Sequence, residues 1–219
     1  MKNETAKRAV QDVHDLLKLP DDVITHDLSQ LDVETLAEAC RGSGSDDTVL
    51  IRTLTTRNKR FLARVSHAYR HTYDEPLGAL IDKETKGWYA YMCKFLVVQE
   101  AQADAMLLDL ALDKKHNKGQ VDRKALTEFL CARHPRRVRA AKKKWEAAND
   151  ESLVDMLSDE LDGDMRQLAL TLLKGKRATD ESDETDAGLA AAQAKRIYKD
   201  PSTFIDVLCS NSPSQVETP

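Results

Sequence analysis

The chain has 219 residues, 41% of them hydrophobic, 32% charged and 5% aromatic, with a formal charge of −4. That length can bury a core without disulfides, and its eight glycines and six prolines are few for a turn-rich β-sandwich or barrel. The near-balanced charge advertises no global polyanion binder, and no nucleic-acid partner is expected. No apolar run reaches membrane-spanning length, and the N-terminus MKNETAKRAVQDVHDLL carries too many acids for a signal peptide. Cys40, Cys93, Cys131 and Cys209 form no CxxC pair, so the expectation is a soluble cytoplasmic helical protein with reduced thiols.

In chain order, residues 1–28 read as an N-terminal arm, with a weak apolar stripe of Val10, Val13 and Leu17 ending before Pro20. The arm is a short amphipathic segment that can dock a partner. A first unit occupies 29–100, and its periodicity predicts helices near 30–41, 47–57, 59–73, 76–83 and 86–98. Val49, Leu50, Leu54 and Arg57 recur at three- and four-residue steps, and Ser45-Asp46-Asp47 offers N-cap oxygens. The run WYAYMCKFLVV at 88–98 reads as a buried helix.

A second unit, 101–176, repeats the first. At an offset of 76, Leu50 meets Leu126, Leu54 meets Leu130, Arg57 meets Arg133, Tyr69 meets Trp145, Glu84 meets Glu160 and Gly87 meets Gly163. The preceding helix matches at an offset of 72, Asp32 with Asp104 and Leu36 with Leu108, so the second copy has four extra residues in its first loop. Residues 177–188, RATDESDETDAG, read as an acidic, solvated linker. A partial third copy fills 189–219, where Phe204, Leu208, Cys209 and Pro213 lie 78 residues after Leu126, Leu130, Cys131 and Pro135. Ending at Pro219 after little more than the second helix of that copy predicts an uncovered apolar face, inviting self-association, aggregation or a longer natural chain.

A five-helix unit with GxG(S/T)D after its first helix and arginine closing its second resembles the annexin repeat. The resemblance is carried by LAEACRGSGSDDTVLIRTLTTR, then Tyr69, then LIDKETKG in the first copy, and it extends from residue 30 to about residue 215. It implies an all-α fold of annexin-like repeats, two complete and one partial, where the family usually carries four. Divergent members include the alpha-giardins of flagellate protists, and the chain is similar to these too.

The segment CRGSGSD follows the first helix, whose last carbonyls lack intrahelical partners. Its glycines permit positive φ, so successive carbonyls can face one point, and calcium takes such oxygens together with a carboxylate. Read alone, the segment is more simply a helix-linking turn with an N-cap. The annexin resemblance implies carbonyl ligands from Cys40, Gly42 and Gly44, with Glu84, three residues ahead of Gly87, as the acid. It further implies a calcium ion bridging this loop to anionic phospholipid headgroups, peripherally at the inner face of membranes. A minor calcium site using the Ser45 carbonyl and the Asp47 carboxylate is a further expectation, against a capping role for that aspartate.

The second loop, ALDKKHNKGQVDRK, lacks the glycine pair; Glu160 survives ahead of Gly163, with its carbonyl partners in doubt. Aligned as an EF-hand on Gly119, it puts Lys114, Lys118 and Ala125 at positions that need oxygen ligands, which rejects that motif. Arg57 and Arg133 sit where the family places a buried arginine, with Asp104 as the acid of repeat 2. Gln193 and Asn211 replace acid and arginine in the third copy. The basic run 133–144 and the acidic run 150–164 read as solvated faces or as a docking patch, and His67 and His71 as surface histidines. No nucleophile, P-loop or dinucleotide motif appears, so no enzyme is expected. The competing reading is a cytoskeleton-associated or scaffolding protein with weak or vestigial calcium binding.

Overall fold

The computed structural model describes residues 21–42, 44–175, 177–178 and 185–217, with side chains from residue 28 onward. Residues 1–20, most of the predicted arm, and the centre of the acidic linker lie outside the described residues. Among the described residues every regular element is helical. Two compact units divide the chain between Gln99 and Glu100.

In the first unit, α1 (Asp21–Ala39), α2 (Asp47–Thr55), α3 (Lys59–Tyr73), α4 (Leu77–Glu84) and α5 (Gly87–Val97) surround one core. The Asp46 carboxylate caps α2 by accepting from the Val49 amide, and Leu50, Thr53 and Leu54 then face inward at helical spacing. Asn58 caps α3 through the Phe61 amide and turns Leu62, Val65 and Tyr69 inward. The helix stops at Asp74 in a left-handed conformation, φ 54°.

The second unit repeats this plan in α6 (Glu100–Leu112), α7 (Arg123–Ala132), α8 (Pro135–Asn149), α9 (Leu153–Glu160) and α10 (Gly163–Leu173). Asp122 caps α7, His134 caps α8 with Pro135 in its first turn, and α8 ends at Asp150 with φ 53°. Leu126, Leu130, Val138, Ala141, Trp145, Leu153 and Leu157 are all at most 3% exposed. The starts of α7 to α10 each lie 76 residues after those of α2 to α5, so the offset found in the sequence is that of the helices. The third copy supplies α11 (Ala187–Lys199), a 3-10 turn at Pro201–Thr203, α12 (Phe204–Ser210) and α13 (Pro213–Glu217). Cys209 and Ile205 of α12 join the core of the second unit, while α11 buries no residue.

Three expectations change. The first helix begins at Asp21, inside the stretch assigned to the arm and directly after a proline. The linker ends two residues early, since Asp186 caps α11 at Ala187. The run 88–98 is not a wholly buried helix: only Ala90, Cys93 and Val97 face the core, and Trp88 and Met92 are 55% and 52% exposed.

The predicted arginines are tied to acids within each unit. Arg57 grips Asp32 through Nε–Oδ2 at 2.7 Å and Nη2–Oδ1 at 3.1 Å, and this bond holds its guanidinium above the ordinary value. In the second unit Asp104, 1% exposed, takes two arginines. Arg133 reaches it at 3.4 Å, but the two-pronged grip belongs to Arg137, at 2.9 and 2.8 Å. The third copy substitutes a neutral bond at the same positions, Gln193 Nε2 donating to Asn211 Oδ1 at 3.2 Å. Residues of the two charge runs find local partners, among them Lys142 with Glu146 and Asp162 with Arg123.

Candidate metal centre

The loop after α1 is closed by the Asp46 amide, which donates to the Ala39 carbonyl at 2.7 Å. Gly42 and Gly44 adopt φ of +105° and +97° inside it. A Cβ at either position meets nothing within 4 Å, so backbone conformation rather than packing requires glycine there. Among the described residues no donor takes the carbonyls of Cys40, Gly42 or Gly44. They lie at the negative end of α1, where unpaired carbonyls favour a cation.

Glu84 is the last residue of α4, and the buried Thr85 fixes that end. The Thr85 amide and hydroxyl both donate to the Ile81 carbonyl, at 2.9 and 2.6 Å. Burial pushes the Cys40 thiol up to about 11, and the Glu84 carboxylate is the next cause, ahead of Cys93 and Asp47. A thiol that stays protonated is a poor metal ligand, so Cys40 has its carbonyl to offer rather than its sulfur. Glu84 makes no hydrogen bond or ion pair with any described residue.

Asp47 is exposed in the first turn of α2, accepting from the Ser45 hydroxyl at 2.7 Å. The capping role falls to its neighbour Asp46, so the Asp47 carboxylate is not consumed by the helix. The Tyr89 hydroxyl is buried near Cys93 and Asp47 without hydrogen-bond geometry to either, and burial raises its pKa most. His67 and His71 are exposed. Among the described residues no three His, Cys, Asp or Glu side chains converge as metal ligands. Peptide carbonyls and a carboxylate are hard oxygens, a donor class that suits calcium rather than zinc.

The second loop is closed by the same bond, Asp122 amide to Ala111 carbonyl at 2.7 Å, but its interior differs. The Asn117 side-chain amide donates to the carbonyls of Leu110 and Ala111 at 2.8 and 3.1 Å, covering the end of α6. Lys114 Nζ bonds Glu160 Oε1 at 2.5 Å, and Arg166 Nε donates to the Leu161 carbonyl at 2.5 Å. Glu160, expected as a ligand, thus already holds a cation supplied by the chain. Neither Lys114 nor Asn117 was singled out as a counter-group from sequence. The signal available was the four-residue insertion carrying a lysine and an amide opposite a retained glutamate.

Residues 31–96 match the family model described as Annexin. Annexin A3 of Mus musculus is 31% identical over 196 residues, covering 85% of this chain and 58% of the relative. The solved structure titled annexin III superposes with a TM-score of 0.77 at 28% identity, over 87% of this chain and 60% of that one. A calcium-bound annexin (Sm)1 gives a TM-score of 0.74 at 20% identity, over 85% and 58%, and a calcium-bound alpha-1 giardin gives 0.66 at 15%, over 84% and 60%. Those last two likenesses, below a quarter identity, speak for the fold. The chain spans about three-fifths of the length of the curated annexin A3 it matches.

Proposed function

This chain is a relative of the annexins, and on that footing we propose that repeat 1 binds a calcium ion and docks the protein peripherally on anionic phospholipid. The carbonyls of Cys40, Gly42 and Gly44 and the Glu84 carboxylate hold the ion, and Ser45 with Asp47 offers a weaker neighbouring site. Bound calcium supplies a positive centre that one carboxylate leaves under-neutralised, with positions open to headgroup oxygens. With a single acidic ligand, intrinsic affinity belongs at the weak end, about 10⁻⁴ M, and lipid and calcium strengthen each other reciprocally. The work is adhesion at the inner face of membranes, not catalysis. Among the described residues no helix is long and apolar enough to cross a membrane.

The observation that carries this reading is the unpaired Glu84 beside an uncovered carbonyl loop, against a Glu160 already bonded to Lys114. Co-sedimentation of the intact chain with phosphatidylserine vesicles tests it. Binding is expected with calcium and not with chelator, and Glu84→Gln is expected to raise the calcium requirement at least about tenfold. Equal binding by Glu84→Gln overturns the assignment. A second reading, a cytoskeletal or self-associating scaffold with vestigial calcium binding, draws on the closed loop of repeat 2. Vesicle binding indifferent to calcium favours it.

A further inference from the structure

We propose that Trp88 is a membrane anchor of repeat 1, an indole that seats in the lipid–water interface beside the calcium loop. The inference rests on the calcium-mediated docking proposed above and adds a contact of different chemistry to it. Trp88 lies four residues after Glu84 and directly after Gly87, whose φ is +60°. It is 55% exposed, whereas Ala90, Cys93 and Val97 on the same helix are 7% exposed or less. An apolar ring of that size left in water gains free energy from any apolar medium it reaches. Its ring sits edge-on to Tyr91, centroids 5.6 Å apart and planes at 74°, which orders two amphipathic aromatics together. Indole and phenol are the side chains that settle at bilayer headgroups, because one part is apolar and another donates a hydrogen bond.

The surrounding charge identifies the partner as an anionic bilayer. Lys83 and Lys86 are exposed on either side of Glu84, so ammoniums, metal-ligand acid and indole fall within residues 83–88. Cations near an anionic surface each add attraction there. Repeat 2 provides an internal contrast. At the offset of 76, Lys83, Lys86 and Trp88 become Asp159, Asp162 and Asp164, all exposed. The corner that keeps its calcium acid unpaired carries ammoniums and an indole, and the corner that neutralises its acid internally carries aspartates in their place, Asp162 among them paired with Arg123.

The chain has two tryptophans, and Trp145 is 3% exposed in the core of the second unit. Emission that changes on vesicle binding therefore reports Trp88. The experiment mixes the intact chain with phosphatidylserine vesicles whose acyl chains carry bromine, and reads fluorescence and co-sedimentation together. Calcium is expected to blue-shift the emission and quench roughly half of it, and Trp88→Ser to remove that response and weaken vesicle binding about five- to tenfold. Calcium-dependent sedimentation with unquenched emission overturns the anchor and leaves the calcium bridge standing. No calcium-dependent sedimentation at all overturns both. Iodide quenching of Trp88 on bound vesicles equal to that in solution at the same ionic strength also overturns the anchor.

Discussion

Repeats 1 and 2 are built by the same helices, and they differ where those helices stop. Both close the first loop with an aspartate amide on an alanine carbonyl at 2.7 Å, and both turn after the fourth helix through a glycine at positive φ. In repeat 1 no described donor takes the loop carbonyls and Glu84 is unpaired and half-buried, flanked in sequence by Lys83, Lys86 and Trp88. In repeat 2 Asn117 covers the carbonyls, Lys114 neutralises Glu160, and the flanks are aspartates. The core positions specify the helices and the caps specify their ends. The loop surface is then free to change sign without disturbing either.

The largest expected effect comes from the buried acids that both repeats share. Asp104 is 1% exposed between two guanidiniums, so Asp104→Ala leaves Arg133 without its carboxylate and Arg137 with only Glu100, at 3.0 Å. It is expected to cost about 2–4 kcal/mol in chemical denaturation, less than a fully buried pair, because both guanidiniums still reach solvent. Asp32, with Arg57 alone, is expected to cost less, about 1.5–3 kcal/mol. Equal losses would show that Arg137 adds nothing and that the repeats are equivalent here.

Much of this was legible because repetition shows in sequence. The 76-residue offset placed four helices of repeat 2 from those of repeat 1, and the capping aspartates and glycine turns set their ends. What stayed illegible was tertiary. Arg133 aligns with Arg57, yet Arg137 makes the two-pronged contact, because a residue one turn into α8 reaches Asp104 as well as the helix-ending arginine does. Exposure of Trp88 was hidden for a related reason: a short helix buries one face, and an all-apolar run conceals which face that is. The Lys114–Glu160 pair spans 46 residues, beyond any local pattern.

Surface charge gives the next largest effect. Lys83→Asp with Lys86→Asp copies the flanks of repeat 2 onto repeat 1. Replacing two attractive charges by two repulsive ones is expected to cost at least about 2 kcal/mol of binding to anionic vesicles at low salt, with the loss shrinking as salt rises. Calcium binding without vesicles should change far less. If vesicle affinity holds at low salt, flank charge does not distinguish the repeats.

Gly44→Ala follows. A side chain at φ +97° costs about 1–2 kcal/mol, and in repeat 1 this strain acts on the loop that presents the carbonyls. Calcium titration is expected to weaken about tenfold. Gly119→Ala places a comparable strain, at φ +90°, in the second loop and should lower stability while leaving the calcium isotherm unchanged. A calcium effect from Gly119→Ala would bring repeat 2 back as a binding site.

Lys114→Ala has the smallest expected effect and separates two causes of closure. Its ion pair with Glu160 is partly exposed, at 47% and 26%, so removal should change stability by less than about 1 kcal/mol. Glu160 is then released, but Asn117 still donates to Leu110 and Ala111, and the longer loop lacks the glycine pair that aims carbonyls together. Calcium stoichiometry is therefore expected to stay unchanged. A new calcium-binding event in Lys114→Ala would mean that one ammonium was the whole barrier. If only a graft of residues 40–46 in place of 112–122 creates the event, the barrier is the backbone of the longer loop rather than the ammonium.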